Sequence, residues 1–232
     1  MRIHGLQKLT LLDFPGKIAC TVFLGGCNMR CPFCHNGPLV IGVDRGLMDS
    51  DDLLAFLDSR RGRLQGVCVS GGEPTIHPDL PELLSEIKSH GFAVKLDTNG
   101  TNPEMLYRLI SDGLVDYVAM DIKNSIESYA ITMGIDDPER AEELIEAVRT
   151  SAALLMEGRV DFEFRTTLVS ELHSAEDIEA IGRWLGGGES YFLQTYRPEG
   201  DQIVGGFTPF TREQTEEYLA TLKKYIPAAE IR

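Results

Sequence analysis

Three cysteines, Cys27, Cys31 and Cys34, stand in a Cys-x-x-x-Cys-x-x-Cys array inside the stretch 25–36. Thiolates this close in sequence can converge on one soft metal centre from a single loop. Three of them leave a four-coordinate centre one ligand short, and an open position on a metal marks chemistry rather than scaffolding. In an iron–sulfur cluster it lets one iron bind a substrate directly. The same cysteines with His35 could instead make a structural zinc site. Against zinc, the spacings form one tight loop rather than two separated ligand pairs, and Phe33 immediately precedes the last cysteine. A disulfide framework does not fit, because five cysteines is an odd number and the chain far exceeds the small secreted domains that need such staples. Cys20 and Cys68 lie mid-strand and read as small buried hydrophobes.

Other residues of chemical interest sit at the ends of apolar runs. Gly71-Gly72-Glu73-Pro74 is a tight turn that lets a small molecule approach the backbone, whose carbonyls could accept bonds from an ammonium group. Asp97-Thr98-Asn99-Gly100 contains the turn dipeptide Asn-Gly. Asp121 and Lys123 offer an oxygen acceptor and a cation for a carboxylate. Arg165 lies within a strand-like run and needs a partner there, for which an anion or a peptide group is expected. His77, His90 and His173 fall in helix-flanking turns or helix ends and are read as inert, and Trp184 as core.

The elements that position these residues alternate. Strands are expected at 17–24, 66–70, 92–96, 117–120, 161–169 and 191–195. Helices are expected at 51–60 with Ser50 as cap, 78–90, 103–112, from Asp136-Asp137-Pro138 to 157, 174–185 ended by Gly186-Gly187-Gly188, and 212–225. Residues 1–17 read as a lead-in closed by a Pro-Gly turn. Six rounds of strand and helix imply right-handed crossovers and a parallel sheet. In curved parallel sheets chemistry gathers at the C-terminal ends of the strands. The motif-bearing turns follow strands one to four, so they should share one face.

Composition narrows the classes further. At 232 residues and 43% hydrophobic, the chain can bury a sizeable core without staples. A formal net charge of −14 disfavours nonspecific binding to nucleic acid or anionic membrane. The N-terminus lacks a signal-peptide core and no run approaches the ~18 apolar residues of a membrane span. A cytoplasmic protein with reduced thiols is expected.

Taken together, the cysteine array and the Gly-Gly-Glu-Pro turn resemble the radical S-adenosylmethionine (SAM) superfamily. Within it, Leu12-Asp13-Phe14-Pro15-Gly16, Cys34-His35-Asn36, Asp97-Thr98-Asn99-Gly100 and Asp121-Ile122-Lys123 resemble the glycyl-radical-enzyme activases. The stretches 5–17 and 194–198 are similar to the longer activating proteins of anaerobic ribonucleoside-triphosphate reductase. The resemblance implies an α/β fold, a partial (β/α)6 TIM-like barrel in a single domain over residues 1–232, with a core barrel at 17–200 and a C-terminal extension at 201–232. It implies a [4Fe–4S] cluster held by Cys27, Cys31 and Cys34, with SAM chelating the remaining iron. Phe33 would contact the adenine, and Cys34 and His35 would also belong to the cofactor site. The Gly71, Gly72, Glu73 and Pro74 turn would bind the methionine ammonium, Asp121 and Lys123 would bind near the methionine end, Arg165 and Tyr196 would line the site, and Thr98 and Asn99 would also contact the cofactor. Asp97, Thr98 and Asp121 would hold a monovalent cation. Residues 37–66 carry no cysteine, so one cluster is expected.

The implied reaction is reductive cleavage of SAM to methionine and a 5′-deoxyadenosyl radical, which takes hydrogen from a glycine Cα of a partner enzyme. That partner would be anaerobic (class III) ribonucleotide reductase or a pyruvate formate-lyase-type enzyme. A flavodoxin or ferredoxin-type protein would donate the electron. Three other readings stay open: a radical SAM enzyme acting on a small molecule, such as one like carboxy-deazaguanine synthase; a cluster-bearing electron carrier; and a zinc-stabilised interaction module.

Overall fold

The computed structural model describes residues 1–41, 46–187, 190–198 and 202–232. Gly188 of the expected glycine stop and the expected domain boundary at 200–201 lie outside them. The chain begins with β1 (Arg2–Ile3), β2 (Gly5–Thr10), β3 (Ala19–Leu24), α1 (Gly37–Val40), β4 (Met48–Asp49), α2 (Ser50–Asp58) and β5 (Gly66–Gly71). A 3-10 turn (Pro74–Ile76) leads to α3 (Leu80–Ser89), β6 (Ala93–Thr98), α4 (Pro103–Ser111), β7 (Tyr117–Asp121), α5 (Tyr129–Met133) and α6 (Pro138–Met156). Then come β8 (Asp161–Leu168), α7 (Ala175–Leu185), β9 (Tyr191–Thr195), α8 (Arg212–Leu222) and β10 (Glu230–Ile231).

Eight strands form one sheet in the order β10-β9-β8-β7-β6-β5-β3-β2. From β3 to β10 every neighbouring pair is parallel, and β2 alone runs antiparallel, against β3. The order of the parallel strands follows the sequence. Right-handed crossovers that always step the same way leave every connecting helix on one side of the sheet. The other side becomes the concave interior of a partial barrel whose edges, β2 and β10, do not pair with each other. This is the α/β partial-barrel architecture expected from the sequence.

Strand sequence sorts residues between those two sides with a period of two. In β6, Val94 and Leu96 join the core packed under the helices, while Lys95 and Asp97 face inward. The register carries that inward row across neighbouring strands through Cys68 opposite Lys95, Ala119 opposite Asp97, and Arg165 opposite Asp121. The helix side is lined by Val67, Val69, Val118, Met120, Phe164 and Leu168, packed on Leu83, Leu84, Leu106, Leu109, Leu144 and Val148. Parallel strands usually read as continuous apolar runs because both faces are dry. Here one face is polar because it encloses a site.

Three expectations are revised. Residues 2–10 are strands, not a lead-in: β1 pairs with β4 and β2 forms the antiparallel edge. The cap of α2 is Asp49, whose side chain accepts from Asp52 N at 3.0 Å in a reciprocal box, and Ser50 is the first helical residue. His173 is not an inert surface group; it is 4% exposed, and its Nε2 lies 2.8 Å from the Lys123 carbonyl. Phe14 of the lead-in turn closes the end of the barrel opposite the cysteine loop. It is 2% exposed and sits where a Cβ on Gly66, at the start of β5, would come within 2.8 Å of its ring.

Candidate active site

The cysteine loop leaves the C-terminal end of β3 and is tied down at several points. Gly26 N donates to Leu39 O (2.7 Å), Arg30 N to Met133 O (2.9 Å), and Val204 N to Pro32 O (2.8 Å). Gly25 N donates to His4 Nδ1 (2.9 Å), and His77 Nε2 lies 2.9 Å from Gly25 O. His77 is therefore a support for the loop rather than a bystander.

The Gly71-Gly72 turn ends β5 beside that loop. Gly72 N donates to Leu24 O (2.9 Å) and Glu73 N to Gly26 O (2.8 Å). A Cβ on Gly72 would lie 1.9 Å from Gly26 O, so a glycine is required by the cysteine loop's own backbone. Asn36 Nδ2 donates to the Gly71 carbonyl at 2.8 Å.

Glu73 is fully buried and accepts from Thr75 N (3.0 Å), Thr75 Oγ1 (2.5 Å), Thr98 Oγ1 (2.7 Å) and Asn99 N (2.6 Å). Burial raises its carboxyl pKa, while these donors act in the opposite direction. The residue staples the turn after β5 to the turn after β6. Asn99 then reaches the cysteine loop, donating from Nδ2 to Asn28 Oδ1 at 3.0 Å, with Cys27 Sγ 3.8 Å away.

All three cysteines border one cavity, together with Phe33, His35, Gly71, Gly72, Thr98, Asn99, Asp121 and Lys123. Glu73, Pro74, Arg165 and Tyr196 do not border it. Tyr196 stacks behind His35 with ring centroids 5.3 Å apart. Arg165 finds carboxylates rather than an outside anion or a peptide group. Its Nε donates to Asp121 Oδ1 at 2.9 Å, and its Nη1 lies 3.6 Å from Asp97 Oδ2. Sequence reasoning missed Met29, Val40, Ser70, Thr167 and Ile203 in the lining, and quoted Asn36 in a motif without giving it a site role. Ser70 and Thr167 were signalled by the inward row of alternate residues, since Ser70 follows Cys68 and Thr167 follows Arg165 by two.

Electrostatics in the cavity are dominated by ion pairs. Burial would raise the Asp121 pKa, but the Arg165 and Lys123 cations outweigh it and hold the carboxyl at about 2. Burial would likewise discharge Lys123, whose Nζ is 3.2 Å from Asp121 Oδ2; that carboxylate keeps it protonated. Burial pushes the Cys31 thiol up to about 12 and raises that of Cys27. Such thiols become thiolates when a metal displaces their protons.

The sequence model of the Radical SAM superfamily matches residues 21–153, more than half of the chain. The chain belongs to the radical SAM superfamily. A Methanocaldococcus jannaschii protein, provisionally named a glycyl-radical enzyme activating enzyme, is 34% identical over 99% of this chain and 95% of its own length. The pyruvate formate-lyase-activating enzyme of Listeria monocytogenes is 33% identical over 53% of each chain. Among solved structures, Streptococcus suis SuiB bound to S-adenosylmethionine superposes with a TM-score of 0.68 at 14% identity, over 91% of this chain and 51% of that one. This chain therefore spans about half of SuiB and has the same fold over that part.

Radical SAM enzymes use a [4Fe–4S] cluster and SAM, and the residues present fit the cluster. The donors are three soft thiols on one cavity. Among the described residues no group of three His, Cys, Asp or Glu side chains is placed to hold a single metal ion. A cluster does not need such a point of convergence, because its irons each take one thiolate. His35 Nε2 lies 2.6 Å from the Arg197 carbonyl. Among the described residues no helix is long and apolar enough to cross a membrane.

Proposed function

We propose that this radical SAM enzyme installs a glycyl radical on a partner enzyme, and that the partner is an anaerobic (class III) ribonucleotide reductase. The observation that carries the reading is the similarity to the M. jannaschii protein, which runs the length of both chains. The opening stretch 5–17 and Gln194-Thr195-Tyr196-Arg197-Pro198 direct the choice toward the reductase. In this reading residues 1–232 act as one domain.

When bound, the cluster and SAM supply a 5′-deoxyadenosyl radical that takes hydrogen from a glycine Cα. The chain's own residues hold and shield. Cys27, Cys31 and Cys34 ligate, and Asn99 and the Met29 N–H, 3.4 Å from Cys27 Sγ, steady the first thiolate. The Gly72 end of the turn faces the methionine ammonium, with Glu73 and Pro74 fixing the turn from behind. Lys123 meets the methionine carboxylate, and Asp121 keeps it charged. Phe33 and His35 flank the adenine, and Tyr196 backs His35. Thr98 orders its turn through Glu73, and Arg165 braces Asp121. The gap between the β2 and β10 edges gives a protein loop room to enter. A flavodoxin or ferredoxin-type donor supplies the electron. The five free cysteines support a reducing, cytoplasmic setting.

The test is anaerobic incubation of reconstituted, reduced protein with SAM and a candidate class III reductase. Electron paramagnetic resonance should show a glycyl-radical doublet, and 5′-deoxyadenosine should accumulate. Deoxyadenosine without the doublet would reject that partner and turn attention to a formate-lyase-type enzyme. Absence of both from cluster-loaded protein would favour an electron carrier.

A further inference from the structure

The family resemblance places a monovalent cation against Asp97, Thr98 and Asp121. In this chain those groups are already engaged. Lys95 Nζ lies 2.5 Å from Asp97 Oδ1, and Arg165 Nη1 lies 3.6 Å from Asp97 Oδ2. Arg165 Nη2 is 2.9 Å from Asp121 Oδ1, and Lys123 Nζ is 3.2 Å from Asp121 Oδ2. The Thr98 hydroxyl donates to Glu73 and accepts from Gly100 N at 3.1 Å. Three side-chain cations therefore serve two carboxylates.

Lys95 is the unexpected member. It is 1% exposed and stands two residues before Asp97, on the same inward row of β6. It does not border the cysteine-lined cavity. It borders an adjoining cleft with Arg165, Thr167 and Gln194, and so reaches Asp97 from behind. A lysine is almost never buried this fully without a partner, and Asp97 is that partner. A free alkali cation needs a shell of oxygens. These carboxylates have their nearest oxygens committed, and a further cation would also meet three like charges.

We propose that Lys95 is a positioning residue whose tethered ammonium takes the place of a soluble monovalent cation, holding Asp97 while Arg165 holds Asp121. The wild-type site then assembles in the absence of sodium or potassium. The inference rests on the reading that this cavity binds SAM.

The full-length protein is compared in choline, sodium and potassium chloride at equal ionic strength, by melting midpoint and, after cluster loading, by 5′-deoxyadenosine release. Wild type should melt at one temperature and turn over within about twofold in all three salts. Lys95→Met should lose about tenfold or more in choline, as for loss of an outer-shell partner, and regain it with sodium or potassium. Its melting midpoint should rise with the same ions. Lys95→Met combined with Asp97→Asn removes the carboxylate as well, folds without an unpaired buried charge, and should ignore the ions. A wild type stabilised or activated by sodium or potassium over choline would overturn the inference, as would a folded Lys95→Met indifferent to them. A wild type that cleaves no SAM in any salt would instead overturn the SAM reading, while the melting comparison still decides the cation question.

Discussion

The two faces of the sheet are made from the same parallel strands, yet they do different physical work. Facing the helices, Val94, Leu96, Val118, Met120, Phe164 and Leu168 are closely packed and dry. Facing inward, Cys68, Lys95, Asp97, Asp121, Arg165 and Thr167 alternate with them, and ion pairs rather than apolar contacts fix the four charged ones. The core side tolerates exchange among apolar residues of like volume, because burial is nondirectional. The inner side does not, because each charged group there is positioned by a partner of opposite charge, Lys95 and Asp97 within one strand and Arg165 and Asp121 across two. Stability and chemistry are thus written on alternate positions of one set of strands.

Substitutions can break that division or sharpen it. The largest effect is expected from Cys31→Ala, which should abolish 5′-deoxyadenosine formation and lower iron content while leaving the circular dichroism spectrum unchanged. Phe164→Ala, on the helix side, should destabilise the fold by about 3–5 kcal/mol in a denaturant titration. The fraction still folded should cleave SAM at the wild-type rate. Asp121→Asn should show a smaller, pH-dependent effect. The Asp121 pKa is depressed to about 2, below its unfolded value of roughly 3.9, so its stabilisation is present above that unfolded value and lost as pH falls through the folded one. The melting difference between wild type and Asp121→Asn should be constant above about pH 4 and close between roughly pH 4 and 2. Cys68→Ala should change least, by about 1 kcal/mol in stability, and should leave SAM cleavage intact. Equal loss of cleavage in Cys31→Ala and Cys68→Ala, both folded, would dissolve the distinction between loop and strand cysteines.

Much of this was readable from the chain. Six of the seven parallel strands, their long helices and the gathering of motifs at one end follow from hydrophobic runs punctuated by glycine and proline. The shortest elements, and the exposed edge strand β2, were not readable. β1 and β10 are two residues each, and α1 and α5 are four and five, too short to display a period. β2 carries a largely exposed pattern, and only its pairing with β3 makes it a strand. Within the site, cysteine ligands were legible because they are local in sequence. The partners of Arg165 were not, since Asp97 and Asp121 meet it only through the register of three strands. The opposite happened with Glu73: its motif was visible, but its role as a buried staple required knowing that the turns after β5 and β6 touch.

The contact between Gly72 and Gly26 carries a further consequence. With the Gly72 position for a Cβ only 1.9 Å from the Gly26 carbonyl, the loop that bears the cysteines and the turn proposed to face the methionine end form one template. Any residue larger than glycine at 72 would push both apart together. The spacing between electron source and methionine end is therefore gauged by the thickness of two bare backbones, the shortest ruler a polypeptide can offer, and a mutational scan should find no single-site route to resetting it.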